Sequence, residues 1–228
     1  MWRALAFLSA VWGVAAFCVE PALDAHGPGN AVTWNREVAR IVFEKCASCH
    51  RPGGTAFSLM TFQDAQPRGT AIKDAVLTRR MPSWGAVKGF GQFRNDFSLS
   101  QEQVELITKW VDGGIRRGSN PGLLPKTPDF ASVPSVVPGP TVARVSGRLV
   151  LTRPLTIEGL VPERVPSGNS FQVVARLPSG RIEPLVWLHN YEANHPHPFL
   201  LRRPLALPTR TVVEGVPSAA TIALLAPR

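Results

Sequence analysis

Residues 46–50 read Cys-Ala-Ser-Cys-His, and this spacing is typical of a site where haem is attached covalently to a protein. The sulfurs of Cys46 and Cys49 can add to the two vinyl groups of haem, because one turn of chain presents both sulfurs to the same edge of the macrocycle. His50 follows directly, so its imidazole can reach the iron as the proximal ligand. The segment therefore predicts one covalent haem c with His50 on the iron.

Other uses of two nearby cysteines fit this segment less well. A redox dithiol is typical of a βαβ pattern, which does not surround the motif, and it needs no adjacent histidine. Zinc takes four ligands, usually in two close pairs, but the only other cysteine is Cys18, near the N-terminus. A simple disulfide between Cys46 and Cys49 would leave His50 unexplained.

The second axial position of the iron needs a ligand or stays open. Beyond the initiator, the methionines are Met60 and Met81. The proline after Met81 disfavours helix at Met81 and fixes the backbone there, so we predict Met81 as the distal ligand and Met60 as core filler. A histidine ligand or an open site remains the alternative. Thioether ligation raises the reduction potential of haem, which suits electron transfer.

Further side chains are candidates for the surroundings of the haem. We expect the second ring nitrogen of His50 to donate to a carbonyl, with Pro52 as one candidate. Arg79, Arg80 and Trp84 are candidates for the haem environment on the side of the propionates, with plain surface positions as the alternative.

Three histidines in the second half of the chain could bind a metal. His195 and His197 flank one proline, and His189 could join them from a strand. Copper or zinc would accept such ligands. Surface histidines in a proline-rich loop are the competing interpretation, and the sequence leaves the choice open.

Helices must position the haem motif. Apolar spacing predicts a helix over residues 35–46 with Asn35 as its N-cap, and a shorter helix over 64–78. Ser100 with Gln103 three residues later predicts a capping box at the start of a further helix, which two glycines end. Phe43 and Trp110 are the candidates for the crossing of the first and last helices.

The pattern changes to short strands after residue 140. Predicted strands cover 142–145, 148–151, 171–177, 182–188, 199–202, 211–214 and 221–225, with a hairpin turn at 178–181. The predicted fold class is a two-domain α + β chain, an all-α haem domain followed by a small all-β sandwich. The expected ranges are a signal or anchor at 1–25, a haem domain at 31–118, a Pro-rich linker at 119–140 and a β domain of unknown role at 141–228.

The first residues predict export. A short basic start precedes an apolar run over residues 4–19, which is typical of a secretory signal and short for a membrane span. We expect cleavage after Ala16 or Ala25, with an uncleaved membrane tether as the alternative. The body of the chain is therefore expected in the periplasm or another extracytoplasmic space.

The formal net charge of +9 bears on partners. Nucleic acid is a poor partner for an exported chain whose basic residues are scattered. We expect the positive charge to interact with the haem propionates and with an acidic redox partner protein. The alternative is a basic surface that is simply solvated.

Five motifs follow one another in the first half of the chain: C-x-x-C-H-R-P-G-G at 46–54, then matches at 57–65, 80–84, 91–96 and 99–114. On these motifs residues 32–118 closely resemble a bacterial monohaem cytochrome c family associated with copper monooxygenase-like proteins. The resemblance implies the cytochrome c fold, covalent haem, His50 as proximal ligand and Met81 as distal ligand. Ser83 departs from the family, where a second proline is usual.

These observations predict an exported single-electron carrier rather than an enzyme. One alternative is a subunit of a redox enzyme in which haem feeds a copper centre. Another is a haem-based sensor or binding module.

Overall fold

Short helices occupy the first part of the chain, in a computed structural model that describes residues 31–130 and 137–228. A π-helical turn, Trp34–Val38, leads into α1 (Ala39–Lys45), which is followed by α2 (Phe62–Ala65), α3 (Gly69–Leu77) and α4 (Gln101–Asp112). Single 3₁₀ turns lie at Gln66–Arg68 and Pro121–Leu123.

The start of α4 confirms the predicted capping box. The Ser100 hydroxyl accepts the backbone N–H of Gln103 at 3.1 Å, and the Gln103 side chain accepts the backbone N–H of Ser100 at 2.9 Å. These two bonds satisfy N–H groups that a helix start would otherwise leave without partners.

The predicted N-cap of the first helix is wrong. Thr33 holds that position, and Asn35 lies buried in the first turn. The Asn35 amide donates to the carbonyls of Gly118 and Asn120, both at 3.2 Å. Asn35 therefore ties the first turn to the segment after α4, a long-range role that a local capping pattern cannot reveal.

Eight strands follow in the part of the chain described after residue 137. They are β1 (Thr141–Val145), β2 (Gly147–Val150), β3 (Leu155–Arg164), β4 (Phe171–Arg176), β5 (Ile182–Leu188), β6 (Phe199–Leu207), β7 (Val212–Val216) and β8 (Thr221–Leu225). They form two four-stranded sheets with the orders β1-β8-β3-β6 and β2-β7-β4-β5, and every pairing is antiparallel. The predicted hairpin is confirmed as β4 and β5.

The longest strand, β3, was missed by the sequence pattern. Gly159 and Pro162 lie inside it, and both residues disfavour an inner strand. The structure accommodates Pro162 next to a register shift against β8. A Cβ at position 159 would lie 2.6 Å from the Phe199 carbonyl oxygen, so glycine allows β6 to approach closely.

One apolar core lies between the two sheets. Ile157 and Leu160 enter it from one sheet, and Val173 and Leu185 enter it from the other. Residues 84–97, which precede α4, enter the same core, since Trp84 is 3% exposed there.

The main chain of residues 84–97 also pairs with the two sheets. Ala86 lies opposite Leu188 of β5, and Phe93 lies opposite Leu201 of β6. Because β5 and β6 are edge strands of different sheets, this segment bridges two edges that would otherwise be unpaired.

The predicted fold class is therefore wrong. The described chain is mostly β, with two antiparallel sheets and only short helices, and it is not an all-α cytochrome c domain followed by a β-sandwich. Residues 84–97, which the motifs assigned to the helical part, supply aromatic side chains to the core of the sheets. The motif pattern is local, whereas the residues that enclose this segment come from strands far along the chain.

Some predictions lie outside the described residues. They include the signal or anchor at 1–25, Cys18, and positions 131–136 of the linker. Among the residues that the structure describes, no helix has the length and apolarity that crossing a membrane requires. The domain boundaries stay predictions.

Candidate functional site

The Cys-x-x-Cys-His motif forms a tight turn at the end of α1. The N–H of Cys46 still donates to Val42 at 2.9 Å, as in a helix. The N–H groups of Cys49 and His50 then both donate to the Cys46 carbonyl, at 3.2 and 2.9 Å. This turn brings the three predicted haem-binding residues together on one short piece of backbone.

The chain after the motif folds back and fixes this turn. The N–H of Ala56 donates to the Cys49 carbonyl at 3.2 Å, and the N–H of Leu59 donates to the His50 carbonyl at 3.1 Å. The Arg51 guanidinium donates to the carbonyls of Ala47 and Ser48. We call residues 46–59 the haem loop, after the cofactor that the sequence predicts.

Gly54 permits the close return of the haem loop. A Cβ at this position would lie 2.3 Å from the Cys49 carbonyl oxygen, which is backbone and cannot rotate away. At neighbouring Gly53 a Cβ would meet nothing within 4 Å, although its φ of +73° favours glycine. The doubled glycine is the signal in the sequence of this close backbone contact.

The His50 ring is fixed in one tautomer by the haem loop. Its Nδ1 lies 2.9 Å from the Phe57 carbonyl oxygen. Since a carbonyl only accepts, Nδ1 carries the proton and donates, and a neutral ring then has its lone pair on Nε2. The acceptor is Phe57 rather than Pro52. This is the arrangement found where a histidine binds a metal through Nε2.

The surroundings of the Cys46 thiol disfavour redox exchange. Burial, together with the smaller effect of the neighbouring Cys49, raises the pKa of the Cys46 thiol to about 12. A reactive dithiol needs a thiolate, which a low pKa provides. A thioether carries no charge, so the apolar surroundings of Cys46 suit a sulfur bonded to a haem vinyl carbon.

One apolar side chain close in sequence to each candidate axial ligand is exposed. Phe57 is 54% exposed, and its ring lies 4.7 Å from the His50 ring. Leu77 is 50% exposed at the end of α3, four residues before Met81. The donor set of Cys46, Cys49 and His50 fits a haem.

The Met81 loop is held by its backbone. The N–H of Met81 donates to the Ala75 carbonyl in α3 at 3.1 Å, and Met81 itself is partly buried. Met81 lies on a different loop from His50, so the sequence motif and the predicted distal ligand come from separate elements.

The other predicted haem neighbours differ in their surroundings. Arg79 and Arg80 are exposed, and the Arg80 guanidinium donates to the Thr78 hydroxyl at 3.3 Å. Trp84 is buried in the core of the two sheets, with Phe93, Phe97, His197 and Phe199 around its ring.

The three histidines of the second half do not form one cluster. Within the residues that the structure describes, no group of three or more His, Cys, Asp or Glu side chains could hold a metal ion. His189 and His195 are exposed. The His197 ring is stacked on Trp84, with Nε2 lying 3.0 Å from the Trp84 carbonyl oxygen and Nδ1 lying 2.9 Å from that of His195.

Aromatic packing beneath the haem loop was predicted in part. Phe43 and Trp110 lie in one apolar cluster, as expected for the crossing of first and last helices. Trp34 was missed, although its ring lies 5.9 Å from Trp110 and is almost fully buried. Trp34 precedes the predicted start of the first helix by one residue, so the helical spacing did not include it. In the structure the π-helical turn begins at Trp34.

No protein-family model, curated protein or solved structure matches the chain. The family resemblance of the motifs therefore stays a prediction.

Proposed function

We propose that this chain is an exported c-type cytochrome that carries single electrons with one covalently attached haem. The observation that carries the proposal is the hydrogen bond from His50 Nδ1 to the Phe57 carbonyl at 2.9 Å. It leaves Nε2 as the iron-binding atom, directly after two cysteines at haem-attachment spacing. When bound, haem supplies an iron that alternates between the ferric and ferrous states.

The chain would bind and orient that group with few residues. Cys46 and Cys49 would form the two thioethers, and His50 would bind the iron on one side. The bond to Phe57 prevents the imidazole from turning and increases its basicity as a ligand. Electron transfer of this kind requires no side chain to act as acid or base.

Met81 is the proposed ligand on the second side. Its loop is anchored to α3 through the bond to Ala75. A thioether ligand would raise the reduction potential compared with a second histidine. The exposed Arg79 and Arg80 would lie on the side of the propionates, and the net charge of +9 would favour an acidic redox partner.

Haem attachment is tested by producing the full chain, with its N-terminal segment, in a host with the haem c maturation machinery. We expect exported protein with one haem per chain, measured by the pyridine haemochrome spectrum and by intact mass. The double variant Cys46→Ser/Cys49→Ser should be colourless. Cys18→Ser makes the same chemical change outside the motif and should keep the haem.

Folded, exported protein without haem would contradict the proposal. So would equal haem content in the double variant and in Cys18→Ser, because attachment would then not depend on the motif. Circular dichroism of each protein shows whether a colourless sample is folded.

Axial ligation is tested by two matched substitutions, Met81→Leu and Met60→Leu. Both change a thioether into an alkyl group of similar volume. We expect Met81→Leu to remove the weak long-wavelength absorption band of thioether-ligated ferric haem and to lower the reduction potential. Met60→Leu should leave both unchanged, and the reverse result would assign the ligand to Met60.

A further inference from the structure

A cleft of about 610 Å³ is lined mainly by positively charged side chains, one of which, Lys45, directly precedes the haem loop. Its basic side chains come from three separate parts of the chain: Lys45, Lys88, Arg94, Arg202 and Arg203. Asp96 is the carboxylate among the lining residues, and one of its oxygens accepts the N–H of Ser98 at 2.8 Å. We call this the basic cleft.

An irregularity in β6 builds one wall of the basic cleft. Ile157 of β3 pairs with Leu205, but Gly159, only two residues on, pairs with Leu200. Residues 201–204 of β6 therefore stand opposite a single residue of β3. Such bulges redirect side chains and are common beside binding sites. Here the bulge lets two consecutive arginines, Arg202 and Arg203, line the same cleft.

The segment 84–97 holds the opposite wall against this bulge. The N–H of Arg202 donates to Gln92 at 2.9 Å, and the N–H of Arg94 donates to Leu200 at 2.8 Å. The Arg94 guanidinium also donates to the carboxylate of buried Glu158 at 3.2 Å. The two walls are thus fixed by main-chain and side-chain bonds, so the cleft is formed before any ligand binds.

Much of the positive charge in the basic cleft is not compensated. Lys45 pairs with Glu44 at 3.2 Å, and Arg94 pairs with Glu158. Among the described residues, Lys88, Arg202 and Arg203 form no ion pair. A concave surface with charge of one sign concentrates its field and attracts counter-ions.

A buried hydroxyl in the cleft also lacks a partner. Ser98 lines the basic cleft, and its Oγ is buried without a hydrogen bond to any described residue. This oxygen has almost no accessible surface, so the charged side chains, and not the Ser98 hydroxyl, are the groups that a ligand in the cleft would contact.

We propose that the basic cleft binds a small polyanion that carries two or more phosphate or carboxylate groups. Its volume is within the range of small-molecule sites, which favours a compact ligand over the broad surface of a protein. Arg202 and Arg203 suit such groups because a guanidinium can donate two parallel hydrogen bonds to one carboxylate or phosphate. The proposal does not depend on haem attachment.

The test is calorimetric titration of the full exported chain with pyrophosphate and, separately, with citrate. Sodium chloride and acetate at matched ionic strength serve as blanks, since exposed charges are screened by salt. We expect one ligand per chain. Arg202→Gln/Arg203→Gln should weaken binding about tenfold or more, because charge-assisted hydrogen bonds are lost. Lys88→Gln, on the opposite wall, should weaken it less.

The matched control is Arg148→Gln/Arg153→Gln, which removes the same charge at exposed positions outside the cleft. It should bind as the unaltered protein does. If only one probe binds, and does so through Arg202 and Arg203, the ligand class is narrowed to phosphates or to carboxylates. The proposal is overturned if neither probe binds above the blanks, or if the cleft and control variants bind equally.

Discussion

The haem loop and the segment 84–97 both contain motifs that resemble the same cytochrome c family, yet the two segments are held in place by different kinds of contact. In the haem loop the bonds that fix Cys49 and His50 come from residues within about ten positions along the chain. In 84–97 they come from β5, β6 and the loop before β6. A motif can therefore predict local geometry when its partners are close in sequence, and it misleads about the fold when its partners are distant.

Trp84 shows this difference most clearly. From its place three residues after Met81 it is a candidate neighbour of the haem. In the structure its ring is enclosed by Phe93, Phe97 and Phe199, with the His197 ring stacked 5.1 Å away. Whatever its relation to haem, Trp84 packs as a core residue of the two sheets.

The largest expected effect is that of Trp84→Ala on stability. Removing a fully buried indole leaves a cavity, so the free energy of unfolding should fall by about 3–5 kcal/mol. The measurement is denaturant unfolding followed by circular dichroism. If Trp84 acts mainly through the haem, the loss should be small in a chain that carries none.

The Cys46→Ser/Cys49→Ser background separates these two roles. We expect Trp84→Ala to cost nearly the same free energy with and without these two substitutions. If Trp84→Ala lowered the free energy of unfolding only in the protein that carries haem, Trp84 would act through the haem. Residues 84–97 would then no longer differ from the haem loop in this respect.

Gly54→Ala should be the next largest effect and tests the local geometry of the haem loop. Its Cβ would lie 2.3 Å from the Cys49 carbonyl oxygen, so the backbone must move at a cost of about 2–3 kcal/mol. Because Cys49 and His50 would shift, the fraction of exported protein that carries haem should also fall. Both quantities are measured on the same preparation.

Gly53→Ala is the matched control for this prediction. It adds the same methyl group at a position with positive φ but without a steric clash, so about 1 kcal/mol of backbone strain is expected. Equal effects of the two substitutions would mean that flexibility, rather than the contact with Cys49, explains the doubled glycine.

The sequence was sufficient to predict those features that depend on residues close together along the chain. The capping box at Ser100 and the hairpin of β4 and β5 follow from short-range patterns, and both were predicted. For the site, the position of Cys46, Cys49 and His50 on one turn also follows from local sequence. The acceptor of the His50 ring could be predicted only as some carbonyl, since the exact return of the loop depends on Gly54 and Arg51.

Other features could not be read from the sequence because they depend on tertiary contacts. Strand β3 contains a proline and a buried Glu158, whose charge is compensated by Arg94 and by the N–H of Gly139. The basic cleft needs a bulge in β6 and a segment that precedes it by more than a hundred positions. No periodicity within either segment indicates that pairing.

The smallest expected effect concerns the pH dependence of stability and depends on His197, which fastens 84–97 to the loop before β6. Burial lowers the pKa of His197 below its ordinary value of 6.5, and this outweighs the carbonyls of His195 and Trp84, which raise it. The nearby His195 charge also lowers it. The unfolded chain therefore binds more protons than the folded chain as the pH falls below 6.5, so stability should decrease there.

His197→Gln should flatten that decrease, and unfolding free energies measured at several pH values on either side of 6.5 would show it. His189→Gln is the control, since His189 is exposed and should leave the pH profile as it is. The direction of the pH effect also indicates which protonation state of His197 the folded chain prefers. A neutral ring can donate to only one of the two carbonyls around it, whereas an imidazolium can donate to both. If the stability of the unaltered protein instead increased on acidification, and His197→Gln showed no such increase, the imidazolium would be the form that holds 84–97 in place. Protonation would then strengthen the contact between this segment and the sheets, whereas the haem loop, fixed by its own neighbours, would respond to neither substitution.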